Sequence, residues 1–217
     1  YRPEDLDDGP PLAQAMAREP LILGERSNFD LVRAKGTQAH IVQAYLAAMS
    51  HSDHMVGQII KSIDTGPNSE HTDIILWSDH GYHLGEKLHV RKATLWEEST
   101  RVPLIIRSPR TSPGETVSKA VSLIDIAPTV IDMTGGDPQA AVEAEQLDGA
   151  SLFGDQPSPA LSHWMEATSL RTERWRYTRY ADKTEELYDH ATDPGEYTNL
   201  AASSDHQQVL RELRMRL

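Results

Sequence analysis

The chain has 217 residues, of which 38% are apolar and 25% charged, with a formal net charge of −12 and no cysteine. This length and composition fit one large globular domain, or one domain with a small appendage, and exclude disulfides and thiolate metal sites. So acidic a surface disfavours nucleic acid and anionic lipid as partners, and no apolar run approaches the roughly 20 residues of a membrane helix.

The opening stretch, Tyr1 to Pro11, has three prolines, no initiator Met and no basic-then-apolar leader. Residues 1–37 therefore read as an irregular Pro-rich segment, and the chain as a fragment or processed product whose targeting signals lie elsewhere. A soluble protein of the bacterial cytoplasm or periplasm is expected. From Gln38 to Ile63, apolar residues including Ile41, Tyr45, Met49, Val56, Ile59 and Ile63 recur at helical spacing, which predicts a long amphipathic helix stopped by Thr65-Gly66-Pro67-Asn68. Asp73 to Trp77 is a short continuous apolar run, as expected for a strand buried on both faces. Ser78-Asp79-His80-Gly81 then turns the chain into a polar, His-rich loop ending near Thr94. Val102 to Ile106 reads as a second strand with Pro103 at its start.

Ser122 to Met133 fits a helix capped by Asp125, with Gly135 and Gly136 behind it. Residues 38–136 thus form a layered α/β domain, and the Ala-, Gly- and Pro-rich residues 137–159 read as a linker. Residues 160–217 form a small α+β subdomain. Within it, Trp175 and Tyr177 alternate with Arg176 and Thr178 like a half-exposed strand, and Glu186 to Asp189 pairs with it. Pro194 and Gly195 occupy the central positions of a type II turn from Asp193 to Glu196. Val209, Leu210, Leu213 and Leu217 lie on one face of a closing helix. Trp77 and Trp96 are expected in the core.

Asp79 and His80 stand just beyond the carboxyl end of a strand, where α/β sheets place ligand sites. One offers a hard oxygen and the other an imidazole nitrogen, and Gly81 lets the backbone turn sharply. Together they suit part of a divalent-cation site, although Asp-His-Gly after a strand also reads as a capped turn. His51, Asp53 and His54 share a helix at i, i+2 and i+3, a spacing compatible with zinc but equally with a solvated face.

Two longer blocks carry a resemblance. Ser78-Asp-His-Gly-Tyr-His-Leu-Gly-Glu-Lys87 followed by Arg91-Lys-Ala-Thr-Leu-Trp-Glu-Glu-Ser-Thr-Arg-Val-Pro-Leu-Ile-Ile106 resembles a conserved block of the sulfatases, nearest the branch with iduronate and choline sulfatases. Val121 to Thr129, Arg171 to Tyr180, and Glu186 to Glu196 resemble segments that follow it in that family, so the likeness spans about residues 38–200 in the expected order. The resemblance implies an α/β fold of the alkaline phosphatase and sulfatase type, here its later half, with a small carboxy-terminal antiparallel sheet and a helix.

It further implies that Asp79 and His80 ligate a divalent cation, calcium first and manganese second, and that Lys92 contacts the sulfate. His83 and His89 flank these residues as candidates for shaping the substrate pocket. The nucleophile implied by the family, a formylglycine made from Cys or Ser in a Cys/Ser-x-Pro-x-Arg motif, is not in this chain. The expected activity is therefore sulfate-ester hydrolysis by a complete protein, with the isolated chain inactive. A phosphonate or phosphate monoester hydrolase of the same superfamily is the alternative, and a catalytically silent remnant that binds metal or a partner is a third possibility. A sulfate ester is the expected small-molecule or saccharide partner, alongside the missing amino-terminal half or a second copy of the chain.

Overall fold

The computed structural model describes residues 32–108, 111–143, 147–154 and 159–217. Its elements in chain order begin with helix α1 (Gln38–Asp64) and strands β1 (Ile74–Trp77), β2 (His83–Leu84) and β3 (Val90–Arg91). Short helix α2 (Glu97–Thr100), strand β4 (Leu104–Arg107) and helices α3 (Ile126–Met133) and α4 (Pro138–Glu143) follow. Strands β5 (Ala160–Trp164), β6 (Ala167–Arg171), β7 (Trp175–Arg179) and β8 (Glu185–Asp189) and helix α5 (Gln207–Arg214) complete the chain. Contacts group these elements into two compact units, residues 1–94 with 101–115 and residues 95–100 with 116–217. Most of the expected Pro-rich segment, 1–37, lies outside the described residues. No helix among the described residues is long and apolar enough to cross a membrane.

In the first unit, α1 matches the helix expected from the periodicity. It is closed at its end by Thr65, whose N–H and hydroxyl both donate to the Lys61 carbonyl. None of its residues is buried, and Met49, Met55 and Ile59 stand exposed. β1 pairs antiparallel with β4, Ile75 opposite Ile106 and Trp77 opposite Leu104, in a two-stranded sheet. The strand expected to be buried on both faces is therefore not so among the described residues, and Trp77, expected in the core, is 48% exposed. A continuous apolar run reports that a strand wants burial, and it does not report how many neighbours supply it. β2 and β3 form a minimal antiparallel pair, His83 opposite Arg91, that closes the His-rich loop.

In the second unit, β5 to β8 form a four-stranded antiparallel meander. Leu170, Tyr177 and Leu187 from its inner face pack with Leu210 and Leu213 of α5, the face the closing helix was expected to bury. Pairing of β7 with β8 follows the expected hairpin, with Thr178 opposite Glu186. The other face of β7 departs from expectation: Arg176 and Thr178 are 2% and 0% exposed rather than solvated. The Arg176 guanidinium bonds the Glu97 and Glu196 carboxylates and donates to the Leu95 carbonyl at 3.0 Å. His190 Nε2 reaches Glu196 at 2.8 Å, and Arg171 bonds Glu97 at 3.2 Å and His190 Nδ1 at 3.0 Å. The buried Trp96 indole N–H donates to Glu186 at 2.9 Å, so three successive residues, Leu95 to Glu97, are held by this face. Alternation marks which residues share a face, and a polar face sealed by ion pairs gives the same pattern as a wet one.

Local chemistry also refines three other expectations. Asp125 stands at the N-cap of α3 as expected, and a 3-10 turn, Leu123–Asp125, precedes it, capped by Ser122 in a reciprocal box where Asp125 accepts the Ser122 N–H at 3.1 Å. Asp125 is fully buried because its second oxygen accepts the Ala150 N–H at 3.0 Å. Gly149 is obligatory there: its φ is 89°, and an added Cβ would lie 2.6 Å from the Ile124 carbonyl oxygen. Residues 137–159, expected as a linker, hold α4, and their Ser151 and Leu152 bond Asp132 and Thr129. The turn from Asp193 closes through the Glu196 N–H at 3.2 Å, but its left-handed residue is Glu196 (φ 59°) and not Gly195, so it is not type II.

Breaking the Arg176 network strands buried carboxylates. Arg176→Met is expected to cost about 3–5 kcal/mol in urea unfolding, because Glu97 and Glu196 lose their shared cation. Burial pushes Glu196 up, but Arg176 and the His190 hydrogen bond outweigh it and hold the carboxyl down at about 2. A carboxyl lowered on folding stabilises above its ordinary value and loses that contribution as pH falls. Stability measured from pH 7 to 2 should therefore decline below about 4.5, and Glu196→Gln should flatten that decline. An unchanged acid limb in the variant would refute the assignment.

Candidate functional site

β1 delivers the chain to Ser78, whose hydroxyl donates to the His80 carbonyl at 2.9 Å and tightens the turn. His80 Nδ1 lies 2.8 Å from the Gly81 carbonyl oxygen. A carbonyl oxygen only accepts, so Nδ1 carries the proton and Nε2 presents its lone pair. The Lys92 ammonium donates to that lone pair at 2.6 Å, across 12 residues of sequence. Asp79 Oδ2 lies 3.5 Å from the same nitrogen, and the Asp79 side chain is 81% exposed. Asp79, His80 and Lys92, singled out from the sequence, are thus gathered around one atom.

The loop between them is shaped by unusual backbone. Lys87, Leu88, Arg91 and Ala93 all have φ between 53° and 79°, and Gly85 sits at 135°. A left-handed conformation costs a non-glycine residue about 1–2 kcal/mol. Lys92 is flanked on both sides by such residues, so its direction is set against a local preference. Glu86 Oε2 secures the bend by accepting the Leu84 N–H at 2.6 Å.

His83 and His89 are placed differently from Asp79 and His80. His83 is fully buried, with Nε2 2.8 Å from the Thr94 hydroxyl, and His89 is 8% exposed. Their rings meet edge to face at 5.0 Å. His89 Nε2 donates to the Lys92 carbonyl at 3.2 Å, so it holds the main chain of the residue whose ammonium meets His80. Sequence reasoning identified neither this bond nor the Gly81 carbonyl, because main-chain acceptors carry no residue-type signal.

The donors fit a divalent cation in part. Asp79 supplies an oxygen and His80 an imidazole nitrogen already in the ligating tautomer, while further ligands must come from other groups. Among the described residues, ligand atoms of Glu97, His190 and Glu196 lie within 4.8 Å of one another. Arg171 and Arg176 already neutralise that group, which makes it a structural ion network rather than a metal site. His51, Asp53 and His54 are exposed on α1, and His54 pairs with Gln58 at 2.7 Å.

The family model Sulfatase matches residues 8–136, and the model N-sulphoglucosamine sulphohydrolase, C-terminal, matches residues 85–217. A sulfatase of Formosa agariphila is 31% identical over 99% of this chain and 42% of its own length. The choline-sulfatase of Rhizobium meliloti is 30% identical over 90% of this chain and 39% of its own. Among solved structures, the phosphonate monoester hydrolase of Agrobacterium radiobacter superposes with a TM-score of 0.66 at 25% identity, covering 82% of this chain and 40% of that one. The chain therefore spans about two fifths of the length of these proteins.

The hydrogen-bond pattern fixes an unusual tautomer that can be read directly. Nitrogen-15 NMR of the chain near neutral pH is expected to show His80 protonated on Nδ1 and bare on Nε2. A His80 signal of the opposite tautomer would remove the site's central donor.

Proposed function

The chain belongs to the sulfatase family, with its alkaline phosphatase-like α/β fold, and from that membership we propose that the complete enzyme hydrolyses sulfate esters using a divalent cation and sulfate contacts supplied here. The observation that carries this reading is the meeting of Asp79, His80 and Lys92 at His80 Nε2. Asp79 and His80 hold the cation, and Lys92 contacts the sulfate. In S–O cleavage, sulfur passes to an attacking oxygen while the alcohol oxygen leaves and takes up a proton. Negative charge gathers on the sulfate oxygens as that bond breaks, and the compact Lys92 ammonium offsets it. A bound divalent cation supplies Lewis acidity toward the same oxygens.

The Gly81 carbonyl keeps His80 in the tautomer that can ligate, and His89 steadies Lys92 through its main chain. His83 supports the pocket from beneath, by packing on His89. Calcium is our first choice because of the family, and manganese second because imidazole suits it better. The chain has neither a cysteine nor a Ser-x-Pro-x-Arg motif to oxidise, so in this reading the formylglycine nucleophile belongs to a part of the protein beyond these 217 residues, and the chain alone is inactive. That part, or a second copy of the chain, is the expected protein partner. Residues 38–136 then serve as the catalytic portion and 160–217 as its carboxy-terminal support.

The likeness to a phosphonate monoester hydrolase supports a second reading, in which the ester cleaved is a phosphonate or phosphate. Two experiments separate these possibilities. Manganese titrated into the chain should broaden the NMR signals of Asp79 and His80 first, and His80→Ala should abolish the effect; broadening that begins elsewhere would sink the cation assignment. In the complete enzyme, kcat/KM for an aryl sulfate should exceed that for an aryl phosphonate monoester, and Lys92→Ala should lower kcat by about 10²–10³-fold. A reversed substrate ratio favours the second reading, and complete inactivity on both favours a silent remnant.

A further inference from the structure

A cavity of ≈ 310 Å³ lies in the first unit, between the approach to α1 and the strained loop. Val32, Ile41 and Val90 give it an apolar lining, Tyr82 adds a ring, and Lys35 and Arg91 add two positive charges. Neither cationic side chain has an ion-pair partner among the described residues, in a chain whose net charge is −12. Both side chains are exposed, on main chain that is fixed. Lys35 sits in a turn closed by the Thr37 N–H to the Val32 carbonyl at 3.1 Å, and Gly36 takes the left-handed φ of 61° that the turn needs. Arg91 is held opposite His83 in β3 with φ 79°. Tyr82 is fixed by stacking on Tyr45 of α1 at 5.3 Å, and Gln38 ties the start of α1 to the Leu84 carbonyl at 3.4 Å.

Two uncompensated cations beside an aromatic ring and aliphatic walls suit a carbon ring that carries an anion. Arginine grips a carboxylate or sulfate through two N–H groups, and lysine adds a point charge without directional demand. The cavity also shares its loop with the proposed sulfate contact. Arg91 and Lys92 are consecutive, so their Cα atoms lie about 3.8 Å apart, and Tyr82 follows His80 by two residues. We propose that this cavity binds a second anionic group of the substrate, a carboxylate or a further sulfate, so that the preferred ester carries two negative charges. The proposal rests on Lys92 being the sulfate contact. Arg91 and Lys35 then act as specificity determinants, and they take no part in bond cleavage.

The test is calorimetric or NMR titration of the chain, in about 0.15 M salt, with three probes: a monosaccharide 6-sulfate, its 2,6-disulfate, and a uronic acid 2-sulfate. At least one doubly charged probe should bind about fivefold more tightly than the monosulfate, in line with two partly exposed charge contacts. Arg91→Gln and Lys35→Gln should each reduce that advantage, and Arg91→Lys should keep part of it. Arg91→Gly, which tolerates the left-handed backbone, should lose the advantage as Arg91→Gln does, which separates charge from folding. An advantage for the disulfate alone assigns the cavity to sulfate, and one for the uronate probe alone assigns it to carboxylate. Equal or undetectable affinity for all three probes, or an advantage untouched by Arg91→Gln, overturns the proposal. Failure of the underlying assignment looks different: Lys92→Ala would leave the monosulfate affinity unchanged while the Arg91 comparison still held.

Discussion

Arg176 is the residue around which the second unit is organised. Its guanidinium has almost no contact with solvent, and a buried charge of that kind survives only with full compensation. Glu97 and Glu196 supply the opposite charge, and the Leu95 carbonyl takes a remaining donor. The partners come from a short helix far upstream in sequence and from a turn downstream, so one side chain ties three stretches of chain to one face of a sheet. The apolar cluster on the opposite face, Leu170, Tyr177, Leu187, Leu210 and Leu213, provides non-directional attraction. The ion network adds direction: it specifies which residues of the 95–100 segment meet the sheet.

The candidate site follows a related logic in miniature. Asp79, His80 and Lys92 are not deeply buried, and position comes instead from main-chain partners. Gly81 fixes the proton of His80, Ser78 tightens the turn beneath it, and His89 holds the carbonyl of Lys92. An imidazole whose lone pair is already aimed can accept either an ammonium proton or a metal ion. The Lys92 contact and the proposed cation binding thus draw on the same pair of electrons, so in that reading a cation at His80 would free the ammonium for an anion.

Much of this arrangement was legible in the sequence, and the parts that were not share a cause. α1 and the β7–β8 hairpin follow local periodicity, and local periodicity is preserved in a string of letters. Asp79, His80 and Lys92 came from a block resemblance, which carries spacing across a loop that no periodicity describes. The burial of Arg176 was illegible because its partner Glu97 lies 79 residues away. The exposure of Trp77 was missed because an apolar strand does not name its neighbours. Asp125 stands at the N-cap of α3, as read from the sequence, but its reciprocal box with Ser122 and the Ala150 partner of its second oxygen were not legible there.

The backbone on either side of Lys92 has a consequence for anyone wishing to make the protein sturdier. Ala93 adopts a φ of 78°, a conformation that glycine takes without penalty. Replacing it is the sort of change a stabilisation screen selects, and the gain would come from removing the tension that aims the neighbouring ammonium. On the proposed role of Lys92, thermal robustness and the sulfate contact are therefore set against each other at this position, and variants chosen for heat tolerance alone would drift toward a slacker site.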